Sequence, residues 1–377
     1  MRIALNASIL RAPRTGIGHY VAELATALQA DSDIELELFD GWHWRRDVPA
    51  AAQPGYSRLS ALVKRLPNAY ALRRHLQQAR FEQGGRRLRP ALYHEPSLWP
   101  FEFDGPMLMT LHDLTHVHYP HTQPADRLRE IERQVVRGLE RASRVLTDSQ
   151  FIADEVSLHY GVSPEKLVVA PLGHAPRFHP RSQEQLASTL QSFGLQARRY
   201  LICVGTLEPR KNLQLGIEGY LALPEALRRC YPLLIAGMPG WGREQMQASL
   251  QRALASGQVR LLGYQPDETL AGLLAGARLL LFPSLYEGFG LPVLEAMASG
   301  TPVVLSRRAS LPEVAGAAGL YIDPEDPQGC TEALQQLIED ESDWQVRHEL
   351  GLAQAKNFTW TRCAQITASV YQQLMDT

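Results

Sequence analysis

Glu287-Gly288-Phe289-Gly290-Leu291-Pro292-Val293-Leu294-Glu295 follows the apolar run Arg278-Leu279-Leu280-Leu281-Phe282-Pro283. The run reads as a buried strand. Pro292 suits the first turn of a helix, where its missing N–H has no partner to lose. Gly300 suits the helix end. The order is therefore strand, glycine-containing loop, helix start, with Glu287 in the loop and Glu295 in the first turns of the helix. Free amides at a helix start attract phosphate. Carboxylates accept hydrogen bonds from hydroxyls. A segment offering both suits a ligand that carries phosphate and several hydroxyls, as a nucleotide sugar does.

The remaining chain repeats that strand–loop–helix rhythm. Strands are expected at residues 2–7, 34–39, 91–93, 107–111 and 144–147, with helical patterns between them, notably 19–29 and 127–141. Residues 34–39 alternate apolar positions with Glu35 and Glu37, as a half-exposed strand would. Pro171, Gly173, Pro176 and Pro180 break the rhythm like a linker. It resumes with strands at 200–204, 232–236, 259–262, 279–282 and 302–305. Alternating strands and helices imply parallel α/β sheets covered on both faces. Two Rossmann-like domains are expected, residues 1–175 and 176–357, with the last helix, 358–377, joining the first.

Composition narrows the class. The 377 residues carry 38 Lys and Arg against 40 Asp and Glu, a net charge of −2, so no global pull toward nucleic acid exists. Cys203, Cys230, Cys330 and Cys363 are far apart and form no CxxC pair, which argues against a disulfide framework or a thiolate metal site. Arg11 and Arg14 interrupt the first apolar stretch, so no secretory leader is expected. No run reaches membrane-spanning length. A cytoplasmic location follows as the expectation.

Four further segments carry chemistry. Gly205-Thr206-Leu207-Glu208-Pro209-Arg210-Lys211-Asn212 follows the first strand of the second half. Arg210 and Lys211 suit a diphosphate, and Asn212 can cap the helix that follows. Set against this, an Arg-Lys pair in a surface turn is commonly just solvated. His112 falls at the end of strand 107–111, followed by Asp113, His116, His118 and His121. A structural histidine or a metal cluster are the competing readings, but no cysteine supports a metal. Gly16 and Gly18 precede a helix, with Asp40 some twenty residues on, which invites a dinucleotide reading. The long loop 8–15 and the absent third glycine weigh against it, and a loop over a cleft fits better. From Tyr56 to Arg89 the chain holds nine cations (Arg58, Lys64, Arg65, Arg73, Arg74, Arg80, Arg86, Arg87 and Arg89) against Glu82 alone, interleaved with Leu59, Leu62, Val63, Leu66, Tyr70, Leu72, Leu76 and Phe81. A solvated helix face is the plain reading; contact with an anionic membrane surface is the functional one.

Together these residues resemble the retaining glycosyltransferases of family 4, whose GT-B fold sets two Rossmann-like domains facing each other across a cleft. Glu287 to Glu295 resembles the family's E-x7-E signature. Residues 204–213 resemble the phosphate-binding segment of a mannosyltransferase-like subgroup, and His112-Asp113 resembles that subgroup's histidine–aspartate pair. Thr147-Asp148-Ser149 and Pro171-Leu172-Gly173 resemble further landmarks. One departure is Thr206, where many relatives carry arginine; Arg210 would supply the missing charge.

The resemblance implies a division of roles. Lys211 and Arg210 would neutralise the departing diphosphate, aided by backbone donors near Leu291 and Pro292. Glu295 would hold the ribose hydroxyls and Glu287 a hydroxyl of the transferred sugar. The backbone of Gly288, Phe289 and Gly290 would approach that sugar, with Gly205, Thr206, Gly16 and Gly18 lining the donor site. Gly263 and Tyr264 would flank the base. His112, with Asp113, would contact the sugar or reacting oxygen from the acceptor side. Retention of configuration and no required metal or other cofactor are implied. The favoured donor is GDP-mannose or GDP-rhamnose, and the favoured acceptor a lipid-linked polysaccharide of O-antigen or A-band type. A UDP-sugar donor, a nucleotide-sugar epimerase, a nicotinamide-dependent oxidoreductase using Gly16, Gly18 and Asp40, and a non-catalytic nucleotide-sugar-binding protein are the alternatives.

Overall fold

The computed structural model describes residues 1–50, 69–122, 125–238, 240 and 247–376. The chain forms two compact units. The first comprises Met1–His112, Arg129–Leu172 and Trp360–Thr377; the second comprises Asp113–Leu128 and Gly173–Thr359. The division falls after Leu172, three residues before the expected boundary, and it gathers Asp113–Leu128 into the second unit, which the rhythm of elements does not reveal.

The first unit is built on a seven-stranded sheet: β1 (Arg2–Asn6), β2 (Glu35–Phe39), β3 (Trp44–Arg45), β4 (Leu92–Glu95), β5 (Met107–Leu111), β6 (Arg144–Thr147) and β7 (Leu167–Val169). The spatial order is β3-β2-β1-β4-β5-β6-β7, with every pair parallel except β2 with β3. The final helix, Trp360–Met375, packs in this unit, and its Tyr371 and Cys363 are wholly buried. The first helix spans Gly16–Leu28, three residues earlier than expected, because glycine and isoleucine at its start had been counted as loop.

The strand β2 corrects a second expectation. It is not half-exposed: Glu37 is buried, and the guanidinium of Arg46 neutralises it through Nε at 2.9 Å and Nη2 at 2.7 Å. The antiparallel β3 hairpin supplies that arginine. At Glu37 the alternation marks a paired, buried charge, while the Glu35 side chain stays 40% exposed.

The second unit holds a six-stranded, all-parallel sheet: β8 (Leu201–Val204), β9 (Leu233–Ala236), β10 (Val259–Gly263), β11 (Leu279–Phe282), β12 (Val303–Ser306) and β13 (Gly319–Ile322). Its order is β10-β9-β8-β11-β12-β13. Leu279, Leu280, Leu281 and Phe282 are all buried, as continuous apolar runs are in a parallel sheet covered on both faces. The strands β3, β7 and β13 were not anticipated. Two of them are two or three residues long, and β13 opens on Gly319.

Strand order fixes where ligands can sit. In an open α/β sheet the crevice lies beyond the carboxyl ends of the two strands where winding reverses. Winding reverses between β1 and β4 in the first sheet and between β8 and β11 in the second.

Candidate functional site

The loops after β8 and β11 are the cation segment and the two-glutamate segment, so topology alone brings the two together at the reversal point of the second sheet. Their backbones are joined, with the Leu285 amide donating to the Arg210 carbonyl at 2.8 Å. The first loop closes in a short 3-10 turn, Pro209–Lys211. Gly205, at φ +147°, turns the chain out of β8, and a side chain at neighbouring Gly237 would run into the Gly205 carbonyl at 1.8 Å.

Glu287 sits at the centre of this site, buried beneath the surface. Lys211 Nζ donates to its Oε1 at 2.6 Å and Arg210 Nη1 donates to its Oε2 at 3.1 Å. Arg210 also donates through Nη1 to the Tyr286 carbonyl at 2.9 Å and through Nε to Glu208 Oε2 at 3.1 Å. Burial alone would raise the Glu287 carboxyl; Lys211 and Arg210 outweigh it and hold the group below its ordinary value. Burial, with Arg210 alongside, pulls the Lys211 ammonium down against the opposing pull of Glu287. Arg210 moves the other way: burial opposes its charge, but Glu287, Asp113 and Glu208 raise it. The site is a compact lattice of two cations and two carboxylates, well formed to receive an anion's oxygens and to orient a hydroxyl.

The helix Leu291–Ala298 begins beside it. Its N-cap is Gly290, at φ +102°, where a side chain would meet Leu311 Cδ2 at 2.7 Å. Glycine lets the backbone turn into the helix there and leaves the first turn without a side-chain cap. Gly300, at φ +78°, ends it in a Schellman arrangement, with Thr301 N bonded to Ala296 O at 2.8 Å and Gly300 N to Met297 O at 3.0 Å. Glu295 lies half-buried in the second turn, and Leu291 is half-buried at its start. Ser310 Oγ pins the loop by donating to the Glu287 carbonyl at 2.9 Å and the Phe289 carbonyl at 3.0 Å. The Phe289 ring packs on Phe358, centroids 5.7 Å apart, so this residue offers backbone only.

Other expected positions fall nearby or elsewhere. Thr206 is half-buried in the β8 loop. Gly263, at φ +70°, ends β10, and its carbonyl accepts from Gly237 N at 2.9 Å, with Tyr264 next to it. Asn212 stands at the helix N-cap position, but its side chain does not cap; Nδ2 donates to the Pro324 carbonyl at 2.8 Å. Asp113 is grouped with the second unit, where its Oδ1 accepts from Thr115 N at 2.9 Å.

His112 lies in the first unit and Asp113 in the second. His112, at the end of β5 in the first unit, faces the carboxylate of Asp148, with Nδ1 and Oδ2 2.7 Å apart. The other ring nitrogen, Nε2, faces the Pro96 carbonyl at 3.0 Å, and the Tyr20 ring stands edge-on at 4.6 Å. Gly16 and Gly18 open the first helix of the same unit, and a side chain at either would meet only ordinary contacts or open space. Asp40 is a turn-former, accepting from Trp42 N and His43 N at 2.9 Å each. Among the described residues no group of three or more His, Cys, Asp or Glu could hold a metal ion.

The basic segment divides. Arg58, Lys64 and Arg65, with Leu59, Leu62, Val63 and Leu66, lie outside the described residues. Residues 69–88 form the helix Ala69–Leu88, and Arg89 follows it. Phe81 is buried in an aromatic cluster with Phe39, Trp44, Tyr93 and Phe101, and Arg74 lies 4.1 Å over the Phe101 ring, so this part is partly core.

Asp148, Glu208 and Tyr286 were missed as site residues. Asp148 had a readable signal: it directly follows β6, the neighbour of β5, so its side chain leaves the sheet beside His112. Glu208 lies inside the segment Gly205–Asn212, two residues before the Arg210 that bonds it, and that spacing is its signal. The Tyr286 phenol accepts from Leu114 N at 3.0 Å, which no local pattern announces.

Comparison with known proteins bears on the family and the fold. The family model described as Glycosyltransferase Family 4 matches residues 14–177, and that described as Glycosyl transferases group 1 matches residues 190–356. The chain is 35% identical to the O-antigen chain mannosyltransferase B of Escherichia coli, over 99% of this chain and 100% of that one. Among solved structures, sucrose-phosphate synthase from Thermosynechococcus elongatus aligns with a TM-score of 0.76 at 21% identity, covering 100% of this chain and 99% of its own. HepE of Anabaena, in complex with UDP and glucose, aligns with a TM-score of 0.73 at 17% identity, covering 99% and 100%. At such identities these structures show the fold, that of the GT-B enzymes.

Proposed function

The chain belongs to glycosyltransferase family 4, and on that premise we propose that it moves mannose or D-rhamnose from a GDP-sugar to a lipid-linked polysaccharide acceptor, with retained anomeric configuration. It is a hexosyltransferase; donor, acceptor and stereochemistry are the proposal. The observation that carries it is the meeting of Lys211, Arg210 and Glu287 beside a glycine-capped helix start at the reversal point of the second sheet. The name of the E. coli relative supports a mannosyl donor and an O-antigen acceptor.

The roles follow from charge. Lys211 and Arg210 meet the negative charge that grows on the diphosphate as the glycosidic bond breaks, and the amides at the start of the helix Leu291–Ala298 add to them. Glu287, oriented by both cations, takes a hydroxyl of the hexose. Glu295 takes the ribose hydroxyls. Gly263 and Tyr264 flank the base. His112, held by Asp148, serves the acceptor side. These cations and amides meet the leaving-group charge, so no metal is assigned a role. Thermal-shift measurement with GDP, UDP, NAD, GDP-mannose, GDP-rhamnose, UDP-glucose and UDP-N-acetylglucosamine tests the donor. Stabilisation by GDP and its sugars above the others is expected; a response to UDP compounds alone would move the reading to a UDP-sugar, and to NAD alone would overturn it.

The acceptor's lipid anchor implies contact with a membrane surface. No helix among the described residues is long and apolar enough to cross a membrane. In the helix Ala69–Leu88, Leu72 and Leu76 are 62% and 49% exposed one turn apart, with Arg73 and Arg80 exposed beside them. Apolar residues set among cations suit an anionic surface. Liposome flotation with and without anionic lipid tests this, and equal, negligible binding in both would refute it.

A further inference from the structure

Glu95 belongs to none of the roles above, yet it is a wholly buried carboxylate at the end of β4, next to β1, where winding reverses in the first sheet. Its oxygens are saturated by neutral donors. Oε2 accepts from Asn6 Nδ2 at 2.8 Å and from the Tyr93 hydroxyl. Oε1 accepts from Ser97 N at 2.8 Å and Ser97 Oγ at 2.5 Å. A carboxylate taken out of water persists only when such bonds replace its hydration, and a group this fully satisfied fixes whatever it bonds.

Those bonds hold two loops. Asn6 ends β1, and its Oδ1 accepts from Ser8 N at 3.1 Å, which anchors the loop leading to Gly16. Ser97 closes the turn after β4, and between Glu95 and Ser97 stands Pro96, whose carbonyl accepts from His112 Nε2 at 3.0 Å. Asp148 fixes the other side of the same ring. The imidazole is therefore clamped between two acceptors, and the Pro96 acceptor is placed by a turn that Glu95 ties down.

We infer that Glu95 is a positioning residue for His112, setting the orientation of the imidazole through the Glu95–Ser97 turn and the Pro96 carbonyl. The role for His112 in turnover rests on the proposed transfer reaction; the placement of the ring does not. Glu95→Gln turns an acceptor into a donor facing other donors. Asn6→Asp combined with Glu95→Gln restores a donor–acceptor pair with the polarity exchanged.

Two readouts are needed: kcat and donor KM, and the ring-nitrogen resonances of His112 by NMR on the full chain. For Glu95→Gln we expect shifted His112 resonances, kcat lower by about tenfold or more, and a donor KM close to wild type. The double substitution should recover both the resonances and kcat. Folded Glu95→Gln with wild-type resonances overturns the inference, as does a kcat loss with the resonances unmoved. If Glu95→Gln does not fold, Ser97→Ala, which keeps the carboxylate and removes one donor, is read the same way. If wild-type protein transfers no hexose, the proposed function fails while the resonances still decide the role of Glu95.

Discussion

Glu287 is shared by two cations, and that sharing makes an asymmetric prediction about stability. Glu287→Ala leaves Lys211 and Arg210, whose side chains are only 15% and 14% exposed, without their common carboxylate. Stranding buried charge costs about 3–5 kcal/mol. Lys211→Ala instead leaves Glu287 bonded to Arg210 at 3.1 Å, and Arg210 still bonded to Glu208. It removes one charge-assisted hydrogen bond, about 1.5–3 kcal/mol. The pair of substitutions together should cost less than the sum, with a coupling of about 2 kcal/mol, because removing Lys211 first removes part of what Glu287 must balance. For a unit of about 200 residues, each kcal/mol moves Tm by roughly 2–4 °C. Calorimetry on the wild type, both single variants and the double variant gives the cycle. Glu287→Ala should melt well below Lys211→Ala. Equal melting of the two single variants, or strict additivity in the double, would refute the shared-carboxylate geometry.

Other expectations are simpler to state. Lys211→Ala should lower turnover on the order of 10²–10³-fold per folded molecule, measured as hexose transfer normalised to native protein; a variant that unfolds with little loss of specific activity would contradict its role. Activity should survive EDTA, and loss restored by zinc or magnesium would reopen the histidine-rich segment 112–121 as a metal site. His94 is enclosed between Tyr371 and Thr110, and burial, with His112 nearby, pushes it down to about 3. It is neutral when folded, whereas the unfolded chain protonates it near 6.5. Its contribution is present above that value and is lost as pH falls from there toward about 3, so urea midpoints of wild type should decline more steeply between pH 7 and 4 than those of His94→Gln. Parallel pH profiles would contradict this.

The fold was legible because its signals are local. Leu279 to Phe282 is a run too apolar for anything but a doubly covered strand, and Pro292 and Gly300 punctuate the helix at both ends. The cation loop and the two-glutamate loop each hold their charged groups within a few residues. Their meeting was not local: it follows from the strand order β8-β11, which no stretch of sequence states. The misread residues failed for the same reason. The carboxylate that meets His112 is that of Asp148, thirty-six residues away in sequence and adjacent in the sheet. Asp40 stands at the spacing of a ribose ligand, but its Oδ1 accepts from the amides of Trp42 and His43 in its own turn. Glu37 looked solvated until the β3 hairpin returned Arg46 to it. In each case the partner of a charged side chain comes from another strand or from its own turn.

The central claim is that the Lys211–Arg210–Glu287 lattice and the helix at Leu291 hold a nucleotide sugar for transfer. The most direct measurement is NMR of the product formed from GDP-mannose or GDP-rhamnose and a lipid-linked acceptor. The account predicts a new glycosidic bond with the donor's anomeric configuration, absent when Lys211→Ala replaces wild type. An inverted linkage, or no transfer from any nucleotide sugar in the panel to any lipid-linked acceptor, would contradict it.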